Sequence, residues 1–241
     1  NTVIDARTQV CPPWAMSTRN TPVLRSPEFP RLWTANARVV DGATLATVGD
    51  GGYALGARGA QIRDALHAKQ RFREYDLLAV QLDDRAVFLT PWQHLLQARA
   101  RTANTPALHA LAQAASTWEG RAAPASVSYH IVRAWRLAVT ARIADGLIAP
   151  ARVALGKAFE KPHLPQLEGV VWPLVTQMPI NLLPRHYASW NALFEDAASE
   201  VRSNLEKSGP LGQRTWGQRN TAAICHPLAK AIPIFGKPWL C

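Results

Sequence analysis

The chain has 241 residues, of which 48% are apolar and 9 are Trp, a composition that provides for a sizeable core and excludes a wholly disordered protein. Its net charge of +10 arises from 27 basic and 17 acidic residues. The basic residues are scattered, and no RNA-recognition motif, zinc-finger spacing or basic zipper accompanies them. No uncharged apolar run of about 18 residues is present. The sequence therefore predicts neither a nucleic-acid nor a membrane partner.

The start of the chain is irregular in pattern. Residues 1–30 are rich in Pro and lack apolar periodicity, which predicts an arm that lies against another part of the protein. The start has neither Met nor a secretory signal, so we expect a processed or excised piece of a longer protein. Residues 32–40 alternate as a strand would, Asp41-Gly42 indicates a turn, and residues 49–52 are rich in Gly. This Gly-rich segment lacks the spacing of a phosphate-binding loop.

The remainder of the chain, from residue 57 onward, has an apolar pattern typical of helices. The clearest is Ser126 to Ile143, where apolar residues recur every four positions; Ser126 is its predicted N-cap, Gly146 is expected to end it, and Trp135 is predicted to lie in the core. Further helices are predicted over residues 58–69, 73–82, 87–100, 106–118 and 187–205, and ordered Pro-rich connections over 161–184 and 227–238. The predicted fold class is mainly α with one or two strands near the start. Residues 31–241 are expected to form one mostly helical portion after the arm.

Residue types that carry chemistry are sparse. Adjacent Asp83 and Asp84 are predicted to be a cap or ion-pair partner beside a solvated charge, because neighbouring residues of a helix point in different directions. His226 is predicted to be structural. No two His stand at metal-ligand spacing. At most one disulfide can form among the three cysteines, which are Cys11, Cys225 and Cys241.

Four groups of segments resemble, in their order and spacing, the penicillin acylase (penicillin amidase) family. They are RLWTANAR at residues 31–38 with GDGGYALGAR at 49–58, LLAVQLDDR at 77–85, YASW at 187–190, and TWGQRN at 215–220 with ICHPL at 224–228. Each segment alone is a weak signal, whereas the joint match extends over about residues 30–235. The region that they resemble is the later part of the family's β chain.

The resemblance implies an N-terminal-nucleophile hydrolase with an αββα core, of which this chain is expected to supply a helical portion. In this family the nucleophile is the first residue of the β chain, usually Ser, and its own α-amino group is the base. Asn1 has no nucleophilic side chain, so we expect the chain alone to be inactive. The implied reaction is hydrolysis of an acyl amide, such as a β-lactam side chain or an acyl-homoserine lactone.

The resemblance also implies partners and a location. The implied partners are the remainder of the same precursor, meaning its α chain and the N-terminal part of its β chain, together with the acyl-amide substrate. Many members bind calcium, mainly through upstream residues; Asp50 neighbours such a position, and no metal or cofactor ligand is predicted in this chain. The implied location is periplasmic or secreted.

Two residues match functional positions of the family. Asn36 matches an Asn whose amide holds the oxyanion of the tetrahedral intermediate, a task suited to a donor that does not titrate. Arg58 matches an Arg that positions groups near the active site. The alternatives are an Asn36 that satisfies the following turn and an Arg58 that pairs with Asp50 or Asp64.

Two other function classes stay open from the sequence. The first is a non-catalytic helical module that binds an acidic partner through its excess of Arg. The second, which the sequence favours less, is a nucleic-acid binder. Substrate hydrolysis and salt-dependent binding separate these classes from the hydrolase.

Overall fold

The structure is a computed structural model that describes residues 31–49, 52–103, 105–164, 166–222 and 224–225. Of these residues 64% are helical and almost none form strands, which confirms the predicted fold class. The chain divides into two compact units between Ala68 and Lys69. The predicted arm over residues 1–30 lies outside the described residues. The α-helices of the described part are α1 (Gly42–Val48), α2 (Ala57–His67), α3 (Glu74–Gln81), α4 (Thr90–Ala103), α5 (Pro106–Ala114), α6 (Val127–Leu155), α7 (Glu168–Gln177), α8 (Trp190–Glu206) and α9 (Trp216–Arg219).

The first unit contains α1 and α2. The strand predicted over residues 32–40 is reduced to one parallel bridge, between Ala37 and Ala54. Asp41-Gly42, predicted to be a turn, instead begins α1, with Asp41 at the N-cap position. The helix predicted over 58–69 is observed as α2. The extended segment that precedes α1 therefore contacts α2 and the residues just before it rather than a sheet.

The core of the second unit forms where α4, α5, α6 and α8 pack together. Trp92, Trp135 and Phe194 are its largest fully buried side chains, and each contributes about 1.5–3 kcal/mol by leaving water. The Trp135 ring lies 5.9 Å from Trp92 with an edge-on geometry and 5.8 Å from Phe194. The predicted core position of Trp135 is thus confirmed.

Helix α6 begins as the sequence predicts and ends later. Ser126 Oγ accepts a hydrogen bond from the Tyr129 backbone N–H at 3.1 Å, so the N-cap is confirmed. The predicted end at Gly146 is wrong, because α6 continues to Leu155. Gly156, with a φ of +51°, follows the last residue of α6, whereas Gly146 permits a close approach, since a Cβ there would stand 2.6 Å from Pro184 Cγ. Gly146 is therefore the place where a loop crosses the helix.

Helix α7 lies within the Pro-rich stretch that the sequence predicts to be an ordered connection. Its first residue, Glu168, accepts hydrogen bonds from Trp92 Nε1 and from the Arg136 guanidinium, both at 2.6 Å. The side chains of Arg136 and Glu168 are 15% and 11% exposed, so this ion pair is largely removed from water. It joins α7 to α4 and α6.

Helix α5 receives its N-terminal cap from a distant helix. Glu195 of α8 accepts hydrogen bonds from the backbone N–H groups of Ala107 at 2.8 Å and Leu108 at 2.9 Å. These donors have no partner within α5, so the carboxylate satisfies them and also complements the positive end of the helix dipole.

Candidate functional site

Asn36 has an unusual backbone conformation. Its φ angle is +60°, in the left-handed region that side chains other than Gly rarely adopt, although Asn tolerates it better than most. The Asn36 carbonyl accepts a hydrogen bond from the Ala54 N–H at 2.7 Å. The Asn36 residue is exposed, so its side-chain amide is accessible to solvent.

Arg58, in the first turn of α2, fixes that amide. Its Nη2 donates to Asn36 Oδ1 at 2.8 Å and to the Ala35 carbonyl at 3.0 Å. A guanidinium has only donors, so the amide atom that it contacts must be the oxygen. The two Nδ2 protons of Asn36 then face away from Arg58, and they donate to no group in the described part of the chain.

This geometry differs from the alternative for Asn36 and from one of the two alternative partners of Arg58. The Asn36 side chain accepts from Arg58 rather than from the N–H of a following turn. Asp64, one alternative partner of Arg58, contacts Arg63 at 2.8 Å. Asp50, the other, lies outside the described residues. Asn36 and Arg58 are therefore adjacent in the structure.

Several contacts around Asn36 are not evident in the sequence. The Trp33 ring meets the His67 ring edge-on at 5.5 Å, and the Arg31 guanidinium donates to the Leu66 carbonyl. Ala35 is buried at 8% exposure. The small residues on either side of Asn36 are the one signal that could have indicated a close approach to α2.

The remaining candidates from the sequence have structural partners or lie outside the described residues. Asp83 pairs with Arg85 at 2.7 Å and Asp84 pairs with Arg121 at 2.5 Å. One of the two carboxylates was predicted to be an ion-pair partner, which is confirmed. The prediction that the other is a solvated charge on the same helix is wrong, because both are paired and both follow the end of α3. His226 lies outside the described residues. Cys225 is disulfide-bonded.

A charged cluster joins α6, α8 and the loop before α8. Arg142 donates to Asp196 Oδ2 at 2.7 Å and to Glu200 Oε2 at 2.8 Å, while Tyr187 Oη donates to the same Asp196 oxygen at 2.5 Å. Burial, and then the bond to Asp196, raise the pKa of Tyr187 to about 12. The hydrogen bonds from Tyr187 and Arg142 lower the pKa of Asp196. Because these charges already have partners, the cluster stabilises the helix packing rather than offering a reactive group.

His130 lies near the start of α6 and is 8% exposed. Its Nδ1 lies 3.1 Å from the Arg214 carbonyl, which can only accept, so Nδ1 carries the proton. Burial lowers the pKa of His130. The imidazole ties the segment around Arg214 to α6.

Other kinds of site find little support in the described residues. Within them, no group of three or more His, Cys, Asp or Glu side chains is arranged to hold a metal ion, and no helix is long and apolar enough to cross a membrane. A cavity of about 360 Å³ lies between α5 and α8. Its charged groups are already engaged, since Glu195 caps α5 and Arg202 pairs with Glu206 at 3.1 Å.

Comparison with known protein families gives an amidohydrolase-like class for this chain. The family model described as Penicillin amidase matches residues 4–239, so the chain belongs to the penicillin amidase family. Among curated proteins no match was found.

Proposed function

We propose that this chain carries the oxyanion-binding part of an acyl-amide hydrolase, with Asn36 as the donor and Arg58 as its positioning residue. The observation that supports the proposal is the 2.8 Å bond from Arg58 to Asn36 Oδ1. That bond leaves both Nδ2 protons of an exposed amide free to meet a substrate.

The chemistry follows from the charge that develops on the substrate. Attack on the carbonyl carbon of an amide places negative charge on its oxygen, and a donor already aimed at that oxygen stabilises the transition state. Asn36 stays neutral at every physiological pH. The guanidinium on Oδ1 polarises the amide and strengthens the Nδ2–H donors, since linked hydrogen bonds reinforce one another.

We propose that the nucleophile comes from another part of the protein. Residues 31–68 contain no Ser and no Cys, and their one His, His67, is engaged with Trp33. In line with the family resemblance, we propose that a further segment of the same protein supplies an N-terminal nucleophile. The chain alone would then be inactive, and any bound calcium would be held mainly by that further segment.

The substrate and location belong to the same proposal. An acyl amide such as a β-lactam side chain or an acyl-homoserine lactone has the carbonyl that this donor requires. A periplasmic or secreted location is supported by the family resemblance alone.

The test is hydrolysis of N-acyl p-nitroanilides by the protein that carries this chain. Asn36→Ala is expected to lower kcat by about 10²–10³-fold with KM nearly unchanged, because the donor acts on transition-state charge. Arg58→Lys keeps the charge and loses the guanidinium geometry, so a smaller loss of about 10-fold is expected. Asn191→Ala, which removes an exposed amide from α8, is the matched control. Wild-type kcat in Asn36→Ala contradicts the proposal.

A second candidate function is an interaction module for an acidic partner. Arg133 lies 5.0 Å over the Trp216 ring, and neither it nor Arg219 has a carboxylate partner in the described part of the chain. Besides burial, both guanidinium charges contribute to lowering the pKa of His130, so both lie near that side chain. Salt-sensitive binding of polyglutamate, lost in Arg133→Gln, together with no hydrolysis in the wild-type protein, would favour this function over the hydrolase.

A further inference from the structure

The segment that carries Asn36 lies along the length of α2. At the end near Asn36, Arg58 holds Ala35 and Asn36, and Gly59 brings Ala37 close enough that a Cβ on Gly59 would stand 3.5 Å from that of Ala37. At the other end, Trp33 meets His67. The distance along α2 from residue 58 to residue 67 is about 14 Å at 1.5 Å per residue. The extended segment from residue 33 to residue 36 covers about 10 Å. The Trp33 and His67 side chains bridge the remaining distance to the far end of α2.

The strained conformation of Asn36 makes this attachment important. A left-handed conformation costs an ordinary L-residue about 1–2 kcal/mol, less for Asn, and it persists when contacts on both sides hold it. On the C-terminal side, the Ala54 N–H binds the Asn36 carbonyl at 2.7 Å. On the N-terminal side, the Trp33–His67 contact anchors the segment at the far end of α2. Release of that anchor allows the backbone at Asn36 to rotate toward the extended region, which turns the amide away from Arg58.

We infer that Trp33, acting through its contact with His67, is a positioning residue for the Asn36 amide; this inference rests on the proposed function for the catalytic meaning of that amide. Trp33 contacts His67 rather than Asn36 and acts through the segment between them. Arg31, which donates to the Leu66 carbonyl, supports the same end of the segment. The consequence is that loss of the Trp33–His67 contact, about two and a half helical turns from Arg58, lowers kcat while substrate binding is retained.

The first test measures the amide directly and does not depend on activity. The Asn36 Nδ2 protons are observed by ¹⁵N NMR in the full chain and assigned by their loss in Asn36→Ser. Trp33→Leu is expected to move their shifts toward those of a free Asn side chain, and Trp33→Phe, which keeps an aromatic edge contact, is expected to restore them. His67→Ala provides a second variant at an exposed helix end. Leu32→Ala, at a side chain that is 64% exposed, is the matched control.

The second test is hydrolysis of N-acyl p-nitroanilides by the protein that carries this chain. Trp33→Leu is expected to lower kcat about 10-fold with KM within about twofold, since the oxyanion donor acts on the transition state. Unchanged Asn36 shifts in folded Trp33→Leu and His67→Ala overturn the inference and leave the proposed function standing. Displaced shifts with unchanged kcat support the positioning of the amide but contradict its role as the oxyanion donor.

Discussion

Replacement of Gly146 by Ala tests the most specific packing contact in the second unit. Gly146 lies inside α6, where Ala is favoured over Gly by about 0.8–1 kcal/mol. Interior helix propensity alone therefore predicts that Gly146→Ala stabilises the protein. The structure predicts the opposite, because the added Cβ would stand 2.6 Å from Pro184 Cγ, 2.7 Å from its Cβ and 3.3 Å from its Cα.

The size of the destabilisation by Gly146→Ala depends on which atoms must move to relieve the clash. The Pro184 ring is rigid and buried, and its Cα belongs to the backbone, so relief requires a shift of the loop. Overpacking of this kind costs about 1–3 kcal/mol. Gly169→Ala in α7 is the matched control, since no atom lies within 4 Å of its Cβ position. Gly169 is the second residue of α7, where the gain in helix propensity is no larger than inside α6. The difference in unfolding free energy between the two variants is therefore a lower limit on the cost of the Pro184 contact, which should be about 1–3 kcal/mol.

The assay is urea unfolding followed by far-UV circular dichroism for both variants. Gly169→Ala should raise the unfolding midpoint and Gly146→Ala should lower it relative to Gly169→Ala. The double variant Gly146→Ala with Pro184→Gly, compared with Pro184→Gly alone, should recover most of the loss, since this change removes both the Cγ and the Cβ that clash. Equal midpoints for the two single variants would refute the reasoning, as would a double variant with no recovery.

Three further predictions concern buried polar groups. Arg136→Leu should destabilise the protein by about 2–4 kcal/mol, seen as a lower urea midpoint, because it leaves the Glu168 carboxylate without its cation at 11% exposure. Stability should fall as the pH drops below about 6.5, because burial lowers the pKa of His130 and the unfolded chain binds the proton first; His130→Gln should flatten this decline in pH-dependent melting. Ser126→Ala should cost about 1 kcal/mol by removing the α6 N-cap, measured by thermal unfolding.

Controls separate these effects from general damage. Exposed His163→Gln should leave the acid-side decline unchanged, whereas an equal flattening by both His variants would contradict the assignment to His130. Arg136→Leu with wild-type stability would show that the Glu168 carboxylate finds sufficient partners in Trp92 and water. Wild-type melting of Ser126→Ala would show that another group caps α6.

Helix positions could be predicted from the sequence wherever an apolar stripe and a cap agree. Ser126 and the stripe through Trp135 predict the start and the buried face of α6 because both signals are local. Helix α6 ends instead before Gly156, whose φ is +51°. Gly146 gave the wrong boundary because its lack of a side chain serves the contact with Pro184, which is distant in the sequence. Helix α7 was missed because its interior Pro173 is a breaker by local rules, while Glu168 and its buried partners hold the helix in place.

The candidate site could be predicted only in part for a similar reason. The resemblance places Asn36 and Arg58 in one site, and the structure brings them into contact. The left-handed backbone at Asn36 and the anchoring by Trp33 depend on how the segment lies against α2. Such contacts between segments leave no periodic signal in a single sequence. The prediction of a strand over residues 32–40 is wrong for the same reason, because an alternating pattern does not show whether a partner strand is present.

The cap that Glu195 provides to α5 has a consequence for the order of folding. Helix α5 has 9 residues, too few for stable helix formation in isolation, and its cap comes from a residue 88 positions later in the chain. During synthesis, α5 therefore leaves the ribosome well before the carboxylate that completes it. The helix should remain frayed at its start until α8 docks, so amide protection of Ala107 and Leu108 should appear together with that of α8.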